Sequence, residues 1–164
     1  MIVLGLDPGL VCTGYGALEG VGRATRVIEA GVVRPNDALP LAERLHELHS
    51  AIEEILARLT PTTVVVEEIY SKYDHPRTAI LMGHARGVIL LAAARHGAPV
   101  VSYAASHVKK ALTSSGRASK EQVQRMVVAL LGLPAAPGPA DVTDALALAA
   151  CHLAVLTRDR LSRG

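Results

Sequence analysis

Aromatic residues are almost missing from this 164-residue chain, which has four Tyr, no Phe and no Trp. Its core must therefore be aliphatic, built from Ala, Val, Leu and Ile. Two cysteines, Cys12 and Cys151, are too few for a disulfide framework and suit a reducing, cytoplasmic setting. No Cys/His spacing fits a zinc site. There is no GxxxxGK[ST] phosphate loop, and Ser114 and Ser115 lack His and Asp partners at any spacing a serine hydrolase would use. The longest apolar run, Ala145 to Leu156, is twelve residues with His152 inside it, too short to span a bilayer. The N-terminus enters a strand at once with no basic segment before it, so neither a secretory leader nor a membrane partner is expected.

Half of the residues are apolar and the mean hydropathy is +0.31, as in a globular domain. The length suits one core, so residues 1–157 are expected to form a single domain and 158–164 a frayed tail. The net charge is only +2, yet it is unevenly spread. Between Lys72 and Arg125 nine bases stand against two acids, Asp74 and Glu121, a local excess of +7. Such a stretch points to a polyanionic partner, unless its charges scatter over several solvated faces.

Hydrophobic periodicity predicts strands at 2–7, 11–18, 24–33, 62–68 and 98–103. Helices are predicted at 41–59, 77–95, 104–112, 119–131 and 141–157, with "EGVGR" (19–23) as a hairpin turn. Three hairpin-linked strands followed by α/β crossovers imply an α/β fold: a five-stranded mixed sheet with helices on both faces.

Most of the fifteen acids sit among polar neighbours. Asp7 ends the apolar strand "IVLGL", Glu67 ends "VVV" with Glu68 alternating to the other face, and Asp141 and Asp144 open an apolar helix. If the first and fourth strands are parallel neighbours, Asp7 and Glu67 lie side by side at their carboxyl ends, where open α/β sheets bind ligands. Asp141 and Asp144, three apart, share a helix face, although the two also suit an N-cap and a dipole-matched first turn. Asp7 alone could equally form a turn before Pro8-Gly9. Taken together, converging carboxylates need a hard divalent cation, and all-oxygen ligands favour Mg²⁺ or Mn²⁺. Two such ions can clamp an in-line phosphoryl displacement.

Several motifs in order complete the picture: "GLDPG" (5–9), "TGYG" (13–16), "VEEIY" (66–70), "GHARGV" (83–88), "VKKAL" (108–112), "GRASKEQV" (116–123) and "ADVTDALALA" (140–149). Their order and spacing over residues 2–153 resemble the RuvC-type Holliday-junction resolvases. The resemblance implies a ribonuclease-H-like fold and a homodimer that cuts two like-polarity strands of a four-way DNA junction in recombination and repair. It implies Asp7, Glu67, Asp141 and Asp144 as ligands of Mg²⁺, two ions per site, with Mn²⁺ also effective. Some family members carry His at the position of Asp141. Thr143 replaces a more usual Ala, a change expected to matter little. By position Lys109 and Lys120 would assist cleavage, and Tyr70 resembles an aromatic that enters the junction centre. Lys72, Arg77, Lys109, Lys110, Arg117 and Lys120 are the DNA contacts this reading names. Helix 77–95 places Ala79, Gly83 and Gly87 on one stripe, which the family relation makes a dimer interface; packing on the chain's own sheet fits the periodicity as well. A branch-migration complex of RuvA/RuvB type is the implied partner.

Two other readings compete. Actin-like and sugar-kinase-like nucleotide-binding proteins also open with a strand, an Asp and a Thr-containing hairpin, but need a second domain of similar size. A non-catalytic junction-binding module would have no need of all four carboxylates.

Overall fold

A computed structural model describes residues 1–21, 24–69 and 76–162. Five strands, β1 (Ile2–Asp7), β2 (Thr13–Val21), β3 (Ala24–Val33), β4 (Thr63–Glu67) and β5 (Val100–Tyr103), form one sheet in the order β3-β2-β1-β4-β5. β1 pairs antiparallel with β2 and parallel with β4, and β4 pairs parallel with β5. The sheet is mixed, as the element order predicts. Its antiparallel half comes from local hairpins and its parallel half from helical crossovers.

Among the described residues five helices complete the fold: α1 (Leu41–Leu59), α2 (Pro76–Arg95), α3 (Ala105–Thr113), α4 (Lys120–Leu131) and α5 (Ala140–Ser162). α1 buries Leu48, Ile52, Ile55, Leu56 and Leu59 along one face. It stops at Thr60, whose left-handed backbone (φ 42°) lets its N–H bond to the Leu56 carbonyl ahead of Pro61. Ser119 caps α4 through a reciprocal capping box with Gln122.

Strand alternation divides the interior in two. Leu4, Leu6, Val64 and Val66 face α1 and α2. Val3 and Val65 face α3, α4 and α5. The same alternation carries Gly5 and Asp7 to the α5 side of β1, and Glu67 to that side of β4.

Glycines let α5 lie directly on the sheet. A Cβ on Gly5 would stand 2.0 Å from the Ala145 carbonyl oxygen and 3.0 Å from the Ala149 nitrogen. One on Gly14 would stand 2.0 Å from the Asp141 carbonyl oxygen, and one on Gly16 2.7 Å from a Leu146 methyl. Gly5 pairs with Gly16, and Asp7 with Gly14, so this smooth patch is continuous across β1 and β2. It brings the start of α5 down beside Asp7.

Three boundaries differ from the sequence expectations. β2 starts at Thr13 rather than Val11, which is 70% exposed in the preceding bend, and runs on to Val21. β2 thus takes in residues 19–21 of the stretch expected to turn, and residues 22–23 lie outside the described residues. α5 continues to Ser162 instead of ending near Thr157. α2 and α5 are both long and apolar enough to cross a bilayer by length and composition alone. α5 buries most of that apolar surface against the sheet, as a core helix does.

Candidate active site

Parallel pairing of Leu6 with Val66 sets Asp7 and Glu67 side by side at the carboxyl rim of the sheet. Gly14, opposite Asp7, supports the backbone of Asp141. One helical turn further on, Asp144 faces the same rim. α5 begins at Ala140, so Asp141 sits within its first turn. The loop beneath is braced by Thr13, which is buried. Its hydroxyl donates to the Gly9 carbonyl at 2.6 Å and accepts from the Gly9 N–H at 3.2 Å. Thr143 is buried as well, and its hydroxyl donates to the Pro137 carbonyl at 3.0 Å, tying the preceding linker to α5. This residue, expected to matter little, has a structural task that Ala could not perform.

The four carboxylates feel one another. Burial, then the charges of Asp144, Glu67 and Asp141, push the Asp7 carboxyl up to about 7, with only Lys120 opposing. Among the described residues, no side-chain hydrogen bond to Asp7 offsets that burial. Glu67 is raised too, by burial and by Asp144, against the pull of Lys120 and Lys109. Lys120 Nζ lies 3.2 Å from Asp144 Oδ2, and the lysine is held above its ordinary value chiefly by that carboxylate. Among the described residues, however, no three of these side chains close on a common point as a preformed cation cage. The single cradle expected from the sequence is thus an open cluster. Like charges repel, and Lys120 holds Asp144.

The donor set suits a hard divalent ion: four carboxylates on one rim, two lysines, and a half-buried Asp7 whose carboxylate has no hydrogen-bonding partner among the described residues. Glu67, Asp144, Lys109 and Lys120 also form the polar mouth of a cavity of about 170 Å³, backed by Val108, Val123, Ala147 and Leu148.

The other expected contacts spread out. Arg77 is exposed in the first turn of α2. Lys110 belongs to a separate groove between α3 and α5, with His107 and Arg158. Arg117 lies with Arg125 in a groove beside α4. Tyr70 and Lys72 lie outside the described residues. On α2, Gly83 and Gly87 are exposed with open space above them, while Ala79 is half-buried. Ile80, 62% exposed, and Leu91, 54% exposed, extend that face, while Ala85, Ile89, Ala92 and Ala93 pack into the core. One side of this helix thus packs on the chain's own core, and the side bearing Gly83 and Gly87 is open.

Two neighbours escaped sequence reasoning. The Cys12 thiol is raised by burial and by the nearby Asp141 carboxylate. Arg86 holds the backbone of Glu67. Neither carries a local signal beyond its place in or beside a motif.

The profile of the family described as "Crossover junction endodeoxyribonuclease RuvC" matches residues 3–152. The chain belongs to the RuvC family. Among RuvC relatives, a crossover junction endodeoxyribonuclease of Anaeromyxobacter dehalogenans is 49% identical over 94% of this chain and 81% of its own. One from Pelotomaculum thermopropionicum is 45% identical over 98% and 97%. Thermus thermophilus RuvC in complex with a Holliday junction substrate is 38% identical, with a TM-score of 0.89 over 95% of this chain and 94% of that one. The yeast mitochondrial Holliday junction resolvase Ydc2, at 10% identity and a TM-score of 0.68, shares the fold. The sheet and helices are therefore the ribonuclease-H-like fold of RuvC, and membership in this nuclease family does not favour the actin-like reading.

Proposed function

We propose that this chain resolves four-way DNA junctions by paired nicks, with Asp7, Glu67, Asp141 and Asp144 as the ligands of its divalent metal. The observation that carries the reading is the gathering of these carboxylates on one rim by the β1–β4 pairing and the close seating of α5, where burial first and then the charges of Asp144, Glu67 and Asp141 push Asp7 up to about 7. Such a cluster is costly without a cation. We take the ion to be Mg²⁺, two per site, with Mn²⁺ a working substitute. When bound, divalent metal supplies neutralisation of phosphate charge and activation of water.

The chain's own residues supply the rest. Asp7 and Glu67 are fixed by the sheet and Asp141 and Asp144 by α5, so the ligand set depends on α5 staying seated on Gly5 and Gly14. Lys120 and Lys109 stand where they can bind the scissile phosphate and offset its growing charge. Arg77, Lys110 and Arg117, with Tyr70 and Lys72, are read as contacts to the junction arms and centre. Phosphate contacts supply most of the affinity and position the duplex.

The open face of α2, with Gly83, Gly87, Ile80 and Leu91, supports a homodimer through that helix. Two-fold symmetry then sets two sites at a fixed separation against a junction of near two-fold symmetry. The reading also places the protein in the cytoplasm, working with a RuvA/RuvB-type branch-migration complex. The free thiols Cys12 and Cys151 suit that compartment.

Incubation with a synthetic four-way junction tests the function. Symmetric nicks in two like-polarity strands are expected with Mg²⁺ and none with EDTA. Binding without nicking under every divalent metal would instead favour the non-catalytic module, and tight ATP binding without nicking the nucleotide-binding reading.

Lys120→Ala separates phosphate affinity from rate. Its Nζ pairs with Asp144 at the site itself, so the single-turnover rate should fall by about 10- to 100-fold. Junction affinity should change only by the loss of one phosphate contact among many. A loss of affinity alone would remove the transition-state role.

A further inference from the structure

Arg86 lies on α2, away from the carboxylate cluster in sequence, yet its side chain ends at the catalytic strand. Nε donates to the Glu67 carbonyl at 3.2 Å and Nη2 donates to Ser102 Oγ at 2.8 Å. Glu67 and Ser102 belong to adjacent strands, and Glu67–Tyr103 is the last pair of the β4–β5 ladder. The guanidinium therefore ties together the carboxyl ends of β4 and β5 where regular pairing stops.

The residue type fits that task. A planar guanidinium offers donors at fixed angles and can hold two acceptors at once, whereas an ammonium is a point charge on a flexible stem. Arg86 is half-buried, and among the described residues it forms no ion pair with any carboxylate. A half-buried charge without a counter-ion is a poor stabiliser. Its return is a charge-assisted bond to one particular carbonyl.

We propose that Arg86 is a positioning residue for Glu67. It fixes the peptide that follows the Glu67 Cα, and with it the direction of the carboxylate toward Asp7 and Asp144. The action runs through the backbone. The charges that bear on the Glu67 carboxyl are Asp144, Lys120 and Lys109, and Arg86 is not among them. The tie also joins the catalytic strand to α2, the helix whose open face flanks Arg86 with Gly83 and Gly87. The proposal rests on the reading of Glu67 as an active-site carboxylate.

The test uses the full chain and Arg86→Met, Arg86→Lys and Ser102→Ala. Four quantities are compared: the single-turnover junction-cleavage rate, junction affinity, melting temperature, and the Mn²⁺ concentration giving a half-maximal thermal shift. Arg86→Met, which keeps the apolar stem, should cut about 10- to 100-fold more slowly and need severalfold more Mn²⁺, the usual scale for groups supporting a metal ligand. Its junction affinity should stay within about twofold, because the phosphate contacts are untouched. Arg86→Lys should fall between Arg86→Met and the parent. Ser102→Ala, which removes only the β5 contact, should lose less than Arg86→Met. If Arg86→Met does not fold, Arg86→Lys and Ser102→Ala decide: slower cutting at unchanged affinity supports the proposal, and parent-like cutting overturns it. A lowered melting temperature with unchanged rate and Mn²⁺ midpoint also overturns it, since that marks a merely structural contact. If the parent cuts no junction, the junction reading fails by itself. The Mn²⁺ midpoint then judges Arg86 alone, a shift supporting the proposal and equality overturning it.

Discussion

An Asp7→Asn variant is expected to lose junction cleavage by about a thousandfold or more and to bind the junction as tightly as the parent. Asp7 is the centre of the cluster: its neighbours include all three other carboxylates, and each raises it. On the proposed reading of Asp7 as a metal ligand, replacing it would remove a ligand charge where a divalent ion would supply several kcal/mol of transition-state stabilisation, and every 1.36 kcal/mol is tenfold in rate. Affinity, on the proposed reading, comes from basic side chains that contact phosphate, which the substitution leaves alone. Single-turnover cleavage and a binding titration in Ca²⁺ check the two halves separately. Equal cleavage by variant and parent would remove Asp7 from the chemistry.

The same variant should be more stable than the parent when metal is absent. In the fold the Asp7 carboxyl is pushed up to about 7 from its ordinary 3.8, because its ionised form is buried and lies beside three other acids. The sign follows from linkage. The folded protein holds a proton that the unfolded chain releases, so stability is fullest below about 4 and is lost as pH rises through about 7. At pH 8 in EDTA the ionised group costs up to about 4 kcal/mol, at about 1.4 kcal/mol for each pK unit. Asparagine carries no such charge. A gain of about 2–4 kcal/mol is expected at pH 8, on the order of 5–10 °C for a domain of this size, and little at pH 4. Mg²⁺ should narrow the difference by stabilising only the parent strongly. Melting curves across this range check it. A difference that does not change with pH would mean that Asp7 is not under electrostatic strain. The arrangement sacrifices stability for a site that is ready to receive positive charge, a trade common at active sites.

Much of this was legible in the sequence because the signals were local and periodic. The strand "IVLGL" closing on Asp7 and "VVV" closing on Glu67 need only alternation and a parallel crossover to meet. The spacing of Asp141 and Asp144 needs only a helix. What escaped were contacts made by the tertiary fold. Nothing near Arg86 announces that its guanidinium reaches the Glu67 carbonyl 19 residues earlier. Thr143 looked interchangeable with Ala because the Pro137 carbonyl it bonds is set by the course of the linker, not by helix periodicity. The start of β2 was misplaced because Val11 has strand propensity yet lies in an exposed bend, where pairing overrides propensity. Closure of the carboxylates on one point could not follow from sequence either. It depends on charge balance, and Lys120 competes for Asp144.

Gly14→Ala should damage cleavage nearly as badly as a ligand substitution, without touching any charge. Its Cβ would fall 2.0 Å from the Asp141 carbonyl oxygen and 2.3 Å from the carbonyl carbon, both backbone atoms that no side-chain rotation can clear. The start of α5 must lift or tilt, and a displacement of about 1 Å in a positioned group costs on the order of a hundredfold in rate. Gly5→Ala strikes the same helix lower down, against Ala145 and Ala149, where α5 is fully buried. That change should act on stability first, by about 3 kcal/mol or more, as overpacking at a rigid contact does. The pair separates two roles of one smooth surface. Gly14→Ala is expected to melt closer to the parent but to cut slowly, and Gly5→Ala to melt well below it. Gly83→Ala on the open face of α2, where nothing in the chain lies within 4 Å of the added Cβ, serves as a control for the melting comparison alone, since that face is the proposed dimer contact. Should Gly14→Ala cut at the parental rate, close seating of α5 on β2 would not be what sets Asp141 and Asp144 beside Asp7.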